Sequence, residues 1–132
     1  MRILVSGSRE FRDISVVEKA LAEVTAGQLG PHTLVHGAAK GADTLAAIAA
    51  KRFGWIVEPH PAVWERHDDG CPDWHQGQRV CRRAGHRRNA EMVAAGASVC
   101  VAFYKRGAAN KGTADCVKQA GAAGIEVRRW SA

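Results

Sequence analysis

Short apolar runs alternate with amphipathic stretches along this chain. The apolar runs predict strands at residues 2–6, 33–36, 55–59, 98–103 and 125–130. Helical spacing predicts a first helix that begins after Asp13 or Ser15, and others at about 42–53, 86–95 and 113–123. In the second of these helices, the spacing places Leu45, Ile48 and Ala49 toward the core.

This alternation defines the fold class. Strands that alternate with helices form right-handed crossovers and a parallel sheet. We expect an α/β fold, a three-layer Rossmann-like parallel sheet of about five strands with helices on both faces, built as a single domain over residues 1–132. The turn after the first strand lacks G-x-G-x-x-G, which argues against an ordinary dinucleotide dehydrogenase.

Three glycine-bearing turns each follow a predicted strand and precede a predicted helix. They are Gly7-Ser8-Arg9, the segment from His36 through Gly37 and Gly41 to Ala42 and Asp43, and Gly112-Thr113. Free N–H groups at a helix start attract anions, and parallel sheets bind ligands beyond the carboxyl ends of their strands. The turns therefore predict a shared phosphate site, although glycine is also common in connecting turns that bind no ligand.

Composition narrows the class of protein. The 132 residues are 46% hydrophobic, which argues against disorder. No apolar run is long enough for a membrane span and no secretory signal is evident, so we expect a cytoplasmic protein without membrane contact. The net charge of +6, concentrated at residues 79–88, permits binding to phosphates or nucleic acid but also suits a solvated surface.

An irregular basic segment, residues 62–85, interrupts the alternation and contains candidate metal ligands. Cys71-x3-His75-x5-Cys81, flanked by His67 and His86, offers enough thiol and imidazole groups for tetrahedral zinc. The spacing differs from common zinc knuckles, so an ion-free loop stays open. If zinc binds, with Cys71, His75, Cys81 and His67 as ligands, we expect a structural role.

The ordered motifs resemble one family. Pro61-Ala62-x-Trp64 and Arg88-Asn89-x-x-Met92 occur with the three turns in the order that is typical of the YspA-type branch of the SLOG superfamily. That superfamily also includes the Lonely Guy phosphoribohydrolases and the Rossmann-like core of the DNA-processing protein DprA. The resemblance implies a Rossmann-like fold that binds a nucleotide or nucleotide-derived ligand without a required cofactor. By analogy with the dimeric enzymes, it also implies a homodimer.

The resemblance to the hydrolases is partial. Lonely Guy enzymes pair an arginine in Arg-Lys-x-x-Met with a glutamate in Pro-Gly-Gly-x-Gly-Thr-x-x-Glu. Arg88 matches the first, which makes Arg88 and Asp115 the candidate catalytic residues. However, Cys116 stands at the glutamate position, and Asp115 precedes it by one residue, a helical rotation of about 100°. This departure favours ligand binding over hydrolysis.

The candidate ligand-binding residues come from the turns and from the Arg88 motif. They are Gly7, Ser8, Arg9, His36, Gly37, Gly41, Ala42, Asp43, Arg88, Asn89, Gly112 and Thr113. Arg88 suits a bidentate phosphate contact, and the alternative is a solvated surface arginine. Asn89 suits a ribose or base contact or a helix cap, and Thr113 can cap the last helix while contacting phosphate.

The other candidates have structural alternatives as well. Ser8 and Arg9 suit a phosphate contact, or local capping and a surface ion pair. Asp43 suits a ribose hydroxyl or stabilisation of its own helix. His36 ends a buried strand, which favours a hydrogen-bonded structural role, and Trp64 suits base stacking or loop packing.

The sequence leaves three functions open. The first is binding of a nucleotide-like small molecule, as a sensor or processing domain, with hydrolysis of a nucleoside monophosphate as its enzymatic form. The second is a module that binds single-stranded nucleic acid, as the basic segment and the DprA resemblance suggest. The third is an interaction scaffold that has lost its ligand.

Overall fold

Five strands form one parallel sheet within residues 1–81 and 83–132, the part of the chain that the computed structural model describes. The elements are β1 (Arg2–Gly7), α1 (Ile14–Thr25), β2 (Thr33–His36), α2 (Ala42–Arg52), β3 (Ile56–Pro59), α3 (Asp73–Gln76), α4 (Ala84–Ala95), β4 (Val99–Tyr104), α5 (Lys111–Ala122) and β5 (Glu126–Ser131). The strand order β3-β2-β1-β4-β5 confirms the Rossmann-like parallel sheet.

Helices cover both faces of the sheet. Successive strand residues point to opposite faces, so Ile3 and Val5 pack with α1 and α2 while Leu4 packs with α4 and α5. Leu4, Met92 of α4 and Cys116 of α5 belong to a separate hydrophobic cluster on this face of the sheet, called the second core below. The predicted three-layer architecture is therefore confirmed.

Helix boundaries and helix faces differ in detail from the sequence prediction. Ile48 of α2 is 39% exposed, so its predicted inward position is wrong. Alanines form the buried face of α2 instead, which lets the helix approach the sheet closely. Helix α4 begins at Ala84, inside the segment expected to be irregular, and α3 forms a short turn within it. Arg82, part of the predicted basic run, lies outside the described residues.

The strand order places a switch point between β1 and β4. Within the sheet, β2 and β3 follow one another outward from one edge of β1, whereas β4 and β5 follow one another outward from its other edge. The turns after β1 and β4 therefore separate and leave a crevice at the carboxyl edge. Within the described residues, each helix is too short or too polar to cross a bilayer.

Gly7 is required where β1 enters this crevice. A Cβ atom at Gly7 would overlap the Cβ of Ala42 and approach the carbonyl oxygen of Phe103 to 2.9 Å. We expect Gly7→Ala to lower the free energy of unfolding by about 1–3 kcal/mol, because the crowded atoms must move apart.

Gly121→Ala is the matched control, since a Cβ there would meet no atom within 4 Å. Its α5 position predicts a gain of up to about 1 kcal/mol. Urea unfolding measures both variants. Equal stabilities for the two variants would contradict the steric role of Gly7.

Candidate functional site

A cleft of about 420 Å³ opens at the carboxyl ends of β1 and β4. Its volume falls within the range of small-molecule sites. Its lining comes from the first turn, the second turn, the irregular segment, α4 and the approach to α5: residues 6–10, Ala39, Asp43, Trp64, Gly85, His86, Arg88, Asn89, Met92, residues 108–113 and Asp115.

The first of the three glycine-bearing turns, Gly7-Ser8-Arg9, presents a hydroxyl and a cation to the cleft. The Ser8 N–H donates to the Phe103 carbonyl at 2.9 Å, and the Ser8 Oγ accepts the N–H of Glu10 at 3.1 Å. Local capping by Ser8 is thus present, and its hydroxyl proton stays available as a donor. The Arg9 guanidinium lies 5.5 Å from the ring centroid of Trp64, a cation–π arrangement at the rim.

Backbone amides of the second turn, residues 36–43, donate hydrogen bonds to other groups of the protein. The Asp43 carboxylate accepts the N–H groups of Gly37 at 3.0 Å and Ala39 at 3.3 Å. The Ala38 N–H donates to the ring of His36 at 2.9 Å, and the Ala42 N–H donates to the Ser8 carbonyl at 3.1 Å. The expectation that these amides are free for a phosphate is therefore wrong, because the chain supplies their acceptors.

Several candidate ligand-binding residues of the second turn do not reach the cleft surface. Ala39 and Asp43 line the cleft, whereas the described lining does not include His36, Gly37, Gly41 or Ala42. Gly41 has a φ of +78°, and a Cβ there would collide with the Ser8 carbonyl, so the first and second turns pack directly together.

Asp43 is a buried carboxyl group with a shifted titration. Its side chain is buried at the start of α2, and burial raises its pKa to about 6, although the amides of Ala39 and Gly37 and the charges of Arg88 and Arg9 act in the opposite direction. The group is therefore poised between its neutral and charged forms just below neutral pH.

Arg88 and Asn89 connect the second turn to the third. One Arg88 Nη donates to the Gly37 carbonyl, and its Nε donates to the Asn89 side-chain oxygen at 3.0 Å. The Asn89 amide donates to the Gly112 carbonyl at 3.3 Å and to Asp115 at 2.9 Å. Asn89 is buried inside α4, so a helix-capping role for it is wrong.

Asp115 lines the cleft within a small polar network. Its carboxylate contacts the His86 ring at 2.9 Å and accepts from the Gln119 amide at 3.0 Å. Burial acts to raise the pKa of Asp115, but hydrogen bonds from Asn89, His86 and Gln119 prevail and lower it. The neighbouring Cys116 is fully buried in the second core and is not part of the cleft lining.

The third turn leaves a helix start open to the cleft. Helix α5 begins at Lys111 after Asn110, and the Asn110 side chain does not cap it. The Asn110 amide bonds to the carbonyls of Lys105 and Ala108 instead. The predicted capping role of Thr113 is therefore wrong, since Thr113 lies inside the first helical turn, buried and facing the cleft.

The cysteine–histidine group, defined as His67, Cys71, His75 and Cys81, is brought together as the sequence predicts. One ligand atom from each residue lies within 4.8 Å of all the others, so the group can hold a metal ion. His86 does not belong to this group, because its ring bonds to Asp115.

Part of the cleft lining was not among the residues predicted from the sequence. Residues 108–111 precede α5 and follow β4, so the rule that placed the other turns at the carboxyl edge applies to them too. His86 was grouped with the metal ligands by proximity in sequence, whereas its position three residues before Asn89 on α4 indicates a shared helix face.

This geometry defines a Rossmann-like α/β protein with its cleft at the switch point of the sheet. Residues 1–67 match the model of the YspA, cpYpsA-related SLOG family. The gene 61 protein of Mycobacterium phage D29 is 38% identical over 131 residues, covering 96% of this chain and 93% of the phage protein. The chain therefore belongs to the YspA, cpYpsA-related SLOG family.

A solved structure shares the fold. The X-ray structure of DNA processing protein A (DprA) from Streptococcus pneumoniae is similar with a TM-score of 0.68 at 18% identity. The similarity covers 97% of this chain and 49% of the DprA chain, so this chain spans about half the length of that protein. This similarity shows that the two proteins share a fold.

The raised pKa of Asp43 gives a pH-dependent stability. Between the ordinary value of 3.8 and about 6, the folded state holds a proton that the unfolded state has lost. The free energy of unfolding of the wild type, minus that of Asp43→Asn, should therefore fall as the pH rises through this interval, by up to about 3 kcal/mol. Urea unfolding of both proteins between about pH 4 and about pH 7 measures this difference. A difference that stays flat, or rises with pH, would contradict the assignment.

Proposed function

We propose that this protein binds a nucleotide or nucleotide-derived ligand, with its phosphate at the start of α5. The observation that carries this proposal is the uncapped α5 N-terminus, which shares a cleft with Ser8 and Arg88. First-turn amides and the helix dipole favour an anion. A hydroxyl and a guanidinium on the same cleft add donors that suit phosphate oxygens.

Arg88 is well placed as the phosphate cation. Its bonds to the Gly37 carbonyl and to Asn89 hold the guanidinium in one orientation. Within the described residues, its other Nη atom makes no hydrogen bond, which leaves donors for a ligand. A preorganised cation loses little side-chain entropy on binding.

Trp64 offers a surface for the base. It is half-buried, lines the cleft and packs against Cys71, Cys81 and Ala84 beneath it. An indole held in this way can stack on a nucleobase once the Arg9 guanidinium moves off its ring, and every base presents a π face. The Arg9 guanidinium at the opening then lies where it can contact base or phosphate.

Arg88→Ala tests this proposal. With AMP as the probe, the loss of a charge-assisted contact should weaken binding about 10- to 100-fold. Arg128→Ala removes the same charge from an exposed position within β5 and should leave the affinity unchanged. Calorimetric titration measures both, and the wild type should gain thermal stability as AMP is added.

The outcomes separate the candidate functions. Equal losses in the two variants would indicate unspecific charge attraction and contradict the proposed site. If AMP does not bind while single-stranded DNA binds with a steep salt dependence, the nucleic-acid module replaces this proposal. If a panel of nucleoside monophosphates, ADP-ribose and single strands all fail to bind, the scaffold function replaces it.

Hydrolysis of a nucleoside 5′-monophosphate is a second candidate, favoured by the position of Asp115. Its carboxylate lines the same cleft as Arg88, and its lowered pKa keeps it ionised near neutral pH. An anion there suits the positive charge that develops on ribose as an N-glycosidic bond breaks. Base release from AMP, measured chromatographically, should disappear in Asp115→Asn and Arg88→Ala. Binding without base release in the wild type would restrict the function to binding.

Ligand binding in the cleft requires no cofactor in this proposal. Structural zinc in the cysteine–histidine group is a separate proposal, because its four residues do not line the cleft. By analogy with the dimeric enzymes of the superfamily, a homodimer is also proposed, and analytical ultracentrifugation tests it.

A further inference from the structure

We propose that His67, Cys71, His75 and Cys81 bind one structural zinc ion, and that this ion fixes the wall of the cleft formed by Trp64 and the start of α4. The zinc assignment stands on its own. The effect on ligand affinity rests on the function proposed above.

The two sulfur atoms have the separation that zinc requires. The Sγ atoms of Cys71 and Cys81 lie 3.7 Å apart. Two thiolates on a tetrahedral zinc ion, each bonded at about 2.3 Å, are about 3.8 Å apart. A disulfide would require about 2.05 Å. The pair is thus spaced for a shared ion.

His67 has the hydrogen bonding of a metal ligand. Its Nε2 lies 2.8 Å from the Gln78 carbonyl oxygen, which can only accept, so Nε2 carries the proton. The other ring nitrogen, Nδ1, then holds a lone pair, and it is buried with no hydrogen-bond partner among residues 1–81 and 83–132. Metal-bound histidines commonly donate their second ring N–H to a carbonyl in this way.

The second histidine completes the set. His75 is almost fully buried, and its ring centroid lies 4.9 Å from that of His67 with the two rings perpendicular. Two imidazoles and two thiols are a common ligand set for structural zinc. Donor atoms at the 4.8 Å limit would have to move together by about 1–1.5 Å to reach the separations of a tetrahedral zinc site.

The surroundings suit bound thiolates. The Arg87 guanidinium lies 3.2 Å from the Cys81 sulfur and 3.9 Å from the Cys71 sulfur, so it donates toward both. Arg87 is balanced in turn by Asp68 at 3.4 Å. Two thiolates neutralise the charge of a zinc ion, and such outer contacts hold ligands in place.

The segment around the group needs an additional source of stability. Its own buried core consists of Cys71, Cys81 and Ala84, with Ala62 and Trp64 packed alongside. So little apolar surface gives little hydrophobic stabilisation against the entropy of ordering residues 62–83. A metal ion supplies that stabilisation directly, because its binding energy becomes folding energy.

Backbone bonds connect the group to the cleft. The Cys81 N–H donates to the Trp64 carbonyl, and the Ala84 N–H at the start of α4 donates to the Cys81 carbonyl at 3.2 Å. Arg87, beside the sulfur atoms, immediately precedes Arg88 in α4. Loss of the ion should therefore release both Trp64 and the helix turn that orients Arg88.

Metal analysis tests the zinc assignment. Untagged protein, purified without a metal-affinity column, should contain one zinc ion per chain, as measured by inductively coupled plasma mass spectrometry. The double variant Cys71→Ser, Cys81→Ser should contain none. Cys100→Ala, which removes a cysteine of the second core, should retain one. A metal-free wild type, or a double variant that keeps its zinc, would overturn the assignment.

Proteolysis and ligand titration test the coupling to the cleft. Removal of zinc by a chelator should increase tryptic cleavage within residues 62–83 at least about tenfold and weaken AMP binding at least about tenfold, with both reversed by one equivalent of zinc. Unchanged cleavage would overturn the coupling even if AMP does not bind. If zinc-loaded protein resists cleavage but does not bind AMP, the proposed function fails while the zinc centre stands.

Discussion

The buried carboxylate of Asp43 determines which part of the cleft can accept an anion. By accepting the Gly37 and Ala39 amides, it places a negative charge of the chain itself at the start of α2. A helix start that is already neutralised in this way has little attraction left for a phosphate. The same bonds close the second turn, and the Ala42 amide joins that turn to Ser8. We therefore propose the open start of α5 as the position of a ligand anion, in the same cleft as Arg88, which is bonded to the closed second turn.

Most of the fold could be predicted from sequence because its signals are local. The continuous apolar run of β4 is typical of a buried strand, and the helical spacing of apolar residues in α1 is typical of an amphipathic helix. The Asp13 cap marks where α1 begins. Predictions failed where a neighbouring layer decides the outcome. Ile48 fits an inward stripe by spacing, but the close approach of α2 to the sheet admits alanine and leaves the larger side chain outside.

The candidate site was harder to predict, because its residues meet only in three dimensions. The rule about the carboxyl ends of strands identified Ser8 and Thr113 as neighbours of one cleft. It could not reveal that the amides of the second turn are used internally, since a sequence shows donors and acceptors but not their pairing. The candidate metal ligands were recognisable by residue type and short separation in sequence. The hydrogen bond between His86 and Asp115 was not, because the two residues lie on different helices and are 29 positions apart in the chain.

The register of α5 also limits how this protein could acquire a different chemistry. Cys116, at the position where the Lonely Guy enzymes carry glutamate, is buried against Cys100, and a carboxylate in that apolar layer would be costly. A glutamate introduced at this position would therefore lower the stability of the fold, because its carboxylate would be buried in the core. A carboxylate reaches the cleft from α5 at Asp115, where one already lies, whereas a shift of the whole helix by one residue would change every contact that α5 makes with the sheet.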